Sequence, residues 1–232
     1  MINSIGLPNK GLDGFLAQDL PELAELPVPL IVSAMAPDRE GFVRLVSGLD
    51  ERAEVAAIEL NVSCPNVKSG LIVGEQPAET LALVAALRER TEKPLVVKLT
   101  PNTADPVSVA VAAEEGGADG VSLINTLRAA AIAPGTDKPW LGAGSGGLSG
   151  PAVRAIALEQ VRRVSGQVSI CVIGMGGIET AGDAAEFMSM GADLVAVGTA
   201  SFRDPKAGNR VRIGLSDARG ERPSLDLNLR SN

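Results

Sequence analysis

Short, largely apolar runs alternate along this chain with helix-length amphipathic segments, and that alternation is the strongest constraint on its fold. Val28–Ala34 (VPLIVSA) leads to a helical pattern over Arg39–Leu49, and Ala56–Val62 (AAIELNV) to one over Glu75–Arg90. Pro94–Leu99 (PLVVKL) precedes Asp105–Gly116, and Gly120–Ile124 (GVSLI) runs through a glycine-rich connection to Pro151–Val164. Val168–Ile173 (VSICVI) precedes Thr180–Met190, and Asp193–Val197 (DLVAV) comes last. Strands apolar on both faces and separated by helices predict a parallel sheet covered by helices. Asp105 and Thr180 suit N-caps, with Pro106 at a first helical position. Gly116–Gly117 and Met190–Gly191 suit helix ends.

These runs supply six strands, after a loop and a short helix at Leu12–Leu20. An eight-stranded βα barrel needs two more units, and periodicity alone does not separate it from a doubly wound sheet. Residues 1–232 read as one domain, with a short helix and an irregular tail from about residue 205. No apolar stretch approaches the ~20 residues of a membrane span, and the N-terminus lacks the pattern of a signal peptide.

Composition narrows the chemistry. The formal charge is −7, with no basic stripe of the kind that nucleic acid requires. Two distant cysteines, Cys64 and Cys171, argue against a disulfide framework and for a reducing, cytoplasmic setting. The chain has no histidine and no tyrosine, so a general base must be Cys, Asp, Glu or Lys, and no zinc site is expected.

In either parallel architecture, active residues lie at the C-terminal ends of the strands. The segments so placed are Asn61–Asn66 (NVSCPN), Lys98–Thr100, Asn125–Thr126, Gly174–Gly177 (GMGG) and Gly198–Thr199. A free cysteine is usually a small buried hydrophobe, but Cys64 stands past its strand in a polar loop. Cys171, inside VSICVI, reads as core packing. Lys98 ends an apolar strand, where an ammonium is costly unless it meets an anion; snorkelling outward is the plainer alternative. GMGG and VGTA are turns that could cradle a phosphate or simply turn the chain. Asn3, Asn61, Asn66 and Asn125 could present paired donors and acceptors to a planar heterocycle. Gly135–Gly150 reads as a long flexible loop, of the length seen in lids.

Seven blocks, NSIGLPNKG, ELNVSCPNVK, VVKLTPN, LINT, GGLSGPA, GMGGI and VGTASF, together resemble the class 1 dihydroorotate dehydrogenases. They run from residue 2 to about residue 205 in the family's order. CPNVKSG is similar to the 1B subclass, which works with a separate iron–sulfur flavoprotein subunit and NAD. The resemblance implies a (β/α)8 TIM barrel holding one FMN, and oxidation of dihydroorotate to orotate in pyrimidine biosynthesis.

It also implies site residues. Cys64 falls at the catalytic base, taking the proton from substrate C5. Lys98 matches a lysine beside the flavin ring. Asn3, Ser4, Ile5, Gly6, Leu7, Asn61, Asn66, Asn125 and Thr126 match substrate-contacting positions, with Asn61 also near FMN. Ile124, Gly150, Gly176, Gly177, Gly198 and Thr199 match positions lining FMN. Ser33 stands where relatives commonly carry an FMN-contacting asparagine. Met1 aligns inside the family pattern, so the first two βα units, with another lysine, are expected to be missing. A homodimer is expected, and FAD and a 2Fe-2S centre are expected on a partner subunit only. Three other readings compete: a tRNA dihydrouridine synthase-like FMN reductase, a phosphate-binding barrel isomerase or synthase, and a truncated chain without activity.

Overall fold

The computed structural model describes residues 1–63 and 73–218. Strand β1 (Ile2–Asn3) is followed by α1 (Gly11–Gly14), a π-helical turn at Phe15–Asp19, and α2 (Leu20–Ala24). This opening helical run is longer than Leu12–Leu20, because Leu12, Phe15, Leu16 and the buried Leu20 keep one side packed on the core. Then come β2 (Leu30–Ala34), α3 (Arg39–Asp50), β3 (Val55–Asn61), α4 (Pro77–Arg88), β4 (Leu95–Lys98), α5 (Pro106–Glu115) and β5 (Gly120–Leu123). The chain continues through β6 (Leu127–Ala129), β7 (Gly146–Leu148), α6 (Arg154–Ser165), β8 (Cys171–Met175), α7 (Ala181–Ser189), β9 (Leu194–Ala196) and α8 (Ala207–Ala218). Residues 219–232, expected as a tail, lie outside the described residues.

Six strands form one parallel sheet in the order β2-β3-β4-β5-β8-β9. That order is strictly sequential. A doubly wound sheet reverses its strand order at a switch point, whereas a barrel adds each strand beside the last. The helices obey the same rule: α3 meets α4, α4 meets α5, and so on to α7 with α8, a single layer on one face. The fold is therefore a partial barrel. Among the described residues β2 and β9 each have one neighbouring strand.

Register divides each strand between its two faces. Ile58, Leu60, Val97, Val121 and Val172 join the buried core under the helices. The opposite face carries Ile31 and Ser33 beside Ala57 and Glu59, then Asn61 beside Lys98, and Lys98 beside Ser122. Polar groups thus gather on the face away from the helices.

Helix starts follow their capping residues. Asp38 accepts from Gly41 N–H, and Asp105 accepts from Ser108 N–H at 3.3 Å. The Ser108 hydroxyl and amide hold Asp105 below the usual carboxylate range. Thr180 and Asp183 form a reciprocal capping box at α7.

Two readings of the sequence need correction. Strand β8 begins at Cys171, not Val168, because Gln167 and Val168 N–H groups still bond back to Val164 at the end of α6. The stretch Gly135–Gly150 is not wholly loop. Its end, β7, pairs antiparallel with both β1 and β6 in a second, three-stranded sheet. No helix of the described residues is long and apolar enough to cross a membrane.

Candidate active site

The C-terminal ends of β3, β4 and β5 converge on a polar cavity of about 240 Å³, lined among others by Ser63, Thr100, Asn102, Asn125, Thr126 and Arg128. Its floor is fixed by amide hydrogen bonds. Asn125 Nδ2 donates to Ser63 Oγ at 2.8 Å and to Asn61 Oδ1 at 3.2 Å. Asn125 Oδ1 accepts from Thr126 N–H at 2.8 Å. Asn102 Nδ2 donates to Thr100 Oγ1 and to the Thr126 carbonyl, while its Oδ1 accepts from Arg128 N–H at 2.8 Å. Asn102 and Asn125 are each held by a residue from another strand end, so this part of the cavity wall is preorganised.

On the same face of the sheet, with Lys98 beside Asn61, lies a charged cluster. Glu59, on β3, accepts from Ser33 Oγ at 2.8 Å through Oε1 and from Ser122 Oγ at 2.8 Å through Oε2. Lys98 Nζ stands 3.7 Å from Glu59 Oε1, with the two side chains 23% and 13% exposed. Lys98 therefore turns to the polar face and meets an anion, rather than snorkelling away.

The glycine turns after β8 and β9 meet Gly150. Gly177 has φ +80°, and a Cβ there would lie 2.8 Å from the Gly150 carbonyl oxygen and 2.9 Å from Pro151 Cα. Gly176 has φ +130°, and a Cβ there would come 3.0 Å from Ala157 and 3.3 Å from Ile124. Gly150, with φ +86°, faces the Thr199 side chain, and Thr199 Oγ1 donates to Ser149 Oγ at 2.8 Å. Gly198 has open space around it. The absence of a Cβ at Gly176 and Gly177 lets the turn after β8 approach Gly150, Pro151 and Ala157 this closely.

The second sheet carries the start of the chain to the cavity. Asn3 pairs with Gly147, which also pairs with Arg128. Gly146 and Gly147 are packed against Asn3 and Thr126 so closely that no side chain fits. Ser4, Ile5, Gly6 and Leu7 continue outward as exposed chain, with φ +77° at Gly6. The structure thus pairs Asn3 with Gly147, which lines the cavity, and leaves these four exposed. Between β6 and β7, Trp140 is 60% exposed, its backbone N–H donating to the Ala131 carbonyl at 2.7 Å.

Cys64 and Asn66 lie outside the described residues; the neighbouring Ser63 is at the cavity. Cys171 is not sealed in the core: it is half-buried at the start of β8, paired with Gly120. Desolvation, with a smaller contribution from the Asp193 charge, pushes its thiol pKa up. Sequence reasoning missed Glu59, Ser122 and Asn102. Glu59 and Ser122 had a usable signal, being the polar residues within the apolar runs AAIEL and GVSLI.

A sequence profile of the family described as dihydroorotate dehydrogenase matches residues 1–218. The chain belongs to the dihydroorotate dehydrogenase family. It is 47% identical over 216 residues to the catalytic subunit of dihydroorotate dehydrogenase B (NAD(+)) of Pelobacter propionicus, covering 93% of this chain and 71% of that one. Against the same subunit of Geotalea daltonii, identity is 45% over 218 residues, covering 94% and 72%. A crystal structure of a dihydroorotate dehydrogenase from Eimeria tenella, in complex with ferulenol, superposes with a TM-score of 0.70 at 24% identity, covering 94% of this chain and 67% of that one. That likeness supports the barrel architecture of the family, of which this chain forms an open section.

Proposed function

We propose that this chain is the catalytic part of an FMN-dependent dehydrogenase that oxidises (S)-dihydroorotate to orotate in pyrimidine biosynthesis. The observation that carries the reading is the hydrogen-bonded cluster of Asn61, Ser63, Asn125 and Thr126 at the strand ends, with the Lys98–Glu59 pair on the same face of the sheet.

The residues present fit FMN. A flavin phosphate is suited by backbone amides little shielded by side chains; Gly150, Gly176, Gly177 and Gly198, with the Thr199 amide beside them, would hold it, and a Cβ at Gly177 would strike backbone. Lys98, Ser33, Asn61 and Ile124 belong on the side of the ring system. FMN, when bound, supplies the acceptor for the two electrons released from the substrate.

The chain's own residues bind, orient and deprotonate. Asn3, Asn61, Asn66, Asn125 and Thr126 supply amide and hydroxyl groups matching the donors and acceptors of a pyrimidine ring, and Ser4, Ile5, Gly6 and Leu7 complete the rim. Cys64 is assigned as general base, its Sγ taking the proton from substrate C5; in a chain without histidine, a thiol needs only modest activation. Lys98 places a fixed positive charge where negative charge develops.

The 1B likeness suggests that electrons leave through a partner subunit carrying FAD and a 2Fe-2S centre, with NAD as final acceptor, and that the catalytic chain forms a homodimer in the cytoplasm. The relatives bear the name catalytic subunit, which implies a separate subunit in those proteins.

The test is anaerobic mixing of the FMN-loaded protein with dihydroorotate, followed by flavin absorbance. Cys64→Ala should retain FMN and slow flavin reduction at least ~10²-fold, the lower range for a positioned acid–base group. Cys171→Ala should leave the rate unchanged. Unimpaired reduction in the Cys64 variant removes that residue from the chemistry, and rapid turnover with fumarate by the catalytic chain alone removes the partner subunit.

A further inference from the structure

Glu59 has no part in the chemistry described so far, yet it is the most fully engaged ionisable side chain on the polar face of the sheet. It sits mid-strand, 13% exposed, with both carboxylate oxygens occupied: Oε1 by the Ser33 hydroxyl and Lys98 Nζ, Oε2 by the Ser122 hydroxyl. Three different strands supply those partners. A buried ion pair is poor evidence for stability, since apolar replacement of both members is often neutral or better. A carboxylate built into a strand with two dedicated hydroxyl donors therefore calls for another reason.

The partners give one. Lys98 and Ser33 are two of the side chains assigned above to the ring system of the cofactor, and Glu59 touches both. Its negative charge offsets the charge that Lys98 offers to electron density arriving nearby. The two hydroxyl donors fix its orientation, so the offset is held in one place. We propose that Glu59 is a positioning residue that holds Lys98 and sets the net charge beside the cofactor, keeping the flavin reduction potential low. This inference rests on the reading that FMN binds at this site.

Potentiometric titration of the bound FMN tests it. Glu59→Gln preserves shape and hydrogen-bonding capacity but removes the charge. It should raise the two-electron potential by at least about 30 mV, equivalent to a tenfold change in the equilibrium. Glu59→Asp, which keeps the charge, should lie closer to wild type than to the Gln variant. If Gln at this position prevents folding by leaving the ammonium unpaired, the double change Glu59→Gln with Lys98→Gln removes both charges. Its potential should then exceed that of Lys98→Gln alone. An unchanged or lowered potential with FMN bound overturns the role of Glu59 and leaves the FMN reading standing. Wild-type protein that takes up no FMN overturns both.

Discussion

Gly177 illustrates how tightly a single position is specified. Its φ of +80° is a conformation that costs an L-residue about 1–2 kcal/mol, and the nearest obstacles to a Cβ are backbone atoms of Gly150 and Pro151 that cannot swing aside. Gly177→Ala should therefore lower stability in urea unfolding by more than that amount, and the purified variant should carry less FMN per chain than wild type. Full flavin content would place the phosphate elsewhere. At this scale, legibility in the sequence depended on where partners lie. Lys98 was readable because an ammonium ending an apolar strand needs an anion. Glu59 carried the same signal but was overlooked, because the serines that satisfy it are 26 and 63 residues away. Asn125 was foreseen from its place after β5, whereas its bonds to Asn61 and Ser63 are visible only in three dimensions.

Among elements, the βα units were legible because caps and apolar runs act locally. Thr180 is the clearest case: it accepts from Asp183 N–H at 3.2 Å, while the Asp183 side chain accepts from Thr180 N–H at 2.9 Å. Asp183 also binds Arg154 of α6, so this cap ties two helices. Thr180→Ala should cost about 1 kcal/mol, the usual worth of an N-cap. That corresponds to a fall of roughly 2–4 °C in Tm for a domain of this size. A thermal melt indistinguishable from wild type would show that the Arg154 contact alone secures the helix start. The sheet β1-β7-β6 was not legible. Strands of two or three residues are too short to display alternation, and β7 reads GGL, which looks like loop. Its glycines are there because Asn3 and Thr126 leave no room for side chains, a tertiary demand that leaves no local trace.

For the molecule as a whole, the choice between barrel and doubly wound sheet could not be made from periodicity, since both use the same units. Strand order made it, and strand order is a long-range property. The exposed side of the sheet reflects the same order: Ile31 on β2 and Leu194 on β9 are 54% and 53% exposed on the two strands that, among the described residues, have a single neighbour. The loop joining β6 to β7 has an optical consequence. Trp140 is the one indole in a chain without tyrosine, and it stands in solvent on the loop whose end supplies Gly146 and Gly147 to the cavity. Near-ultraviolet emission from the protein therefore comes from one ring, with the long-wavelength maximum of a solvated indole. Oxidised flavin absorbs in the range where indole emits, so adding FMN to the cofactor-free chain should dim that emission by resonance transfer, in proportion to occupancy. Emission that persists at saturating FMN would put the flavin beyond transfer distance from this loop. A single exposed ring thus lets cofactor loading be followed in real time on the unlabelled polypeptide.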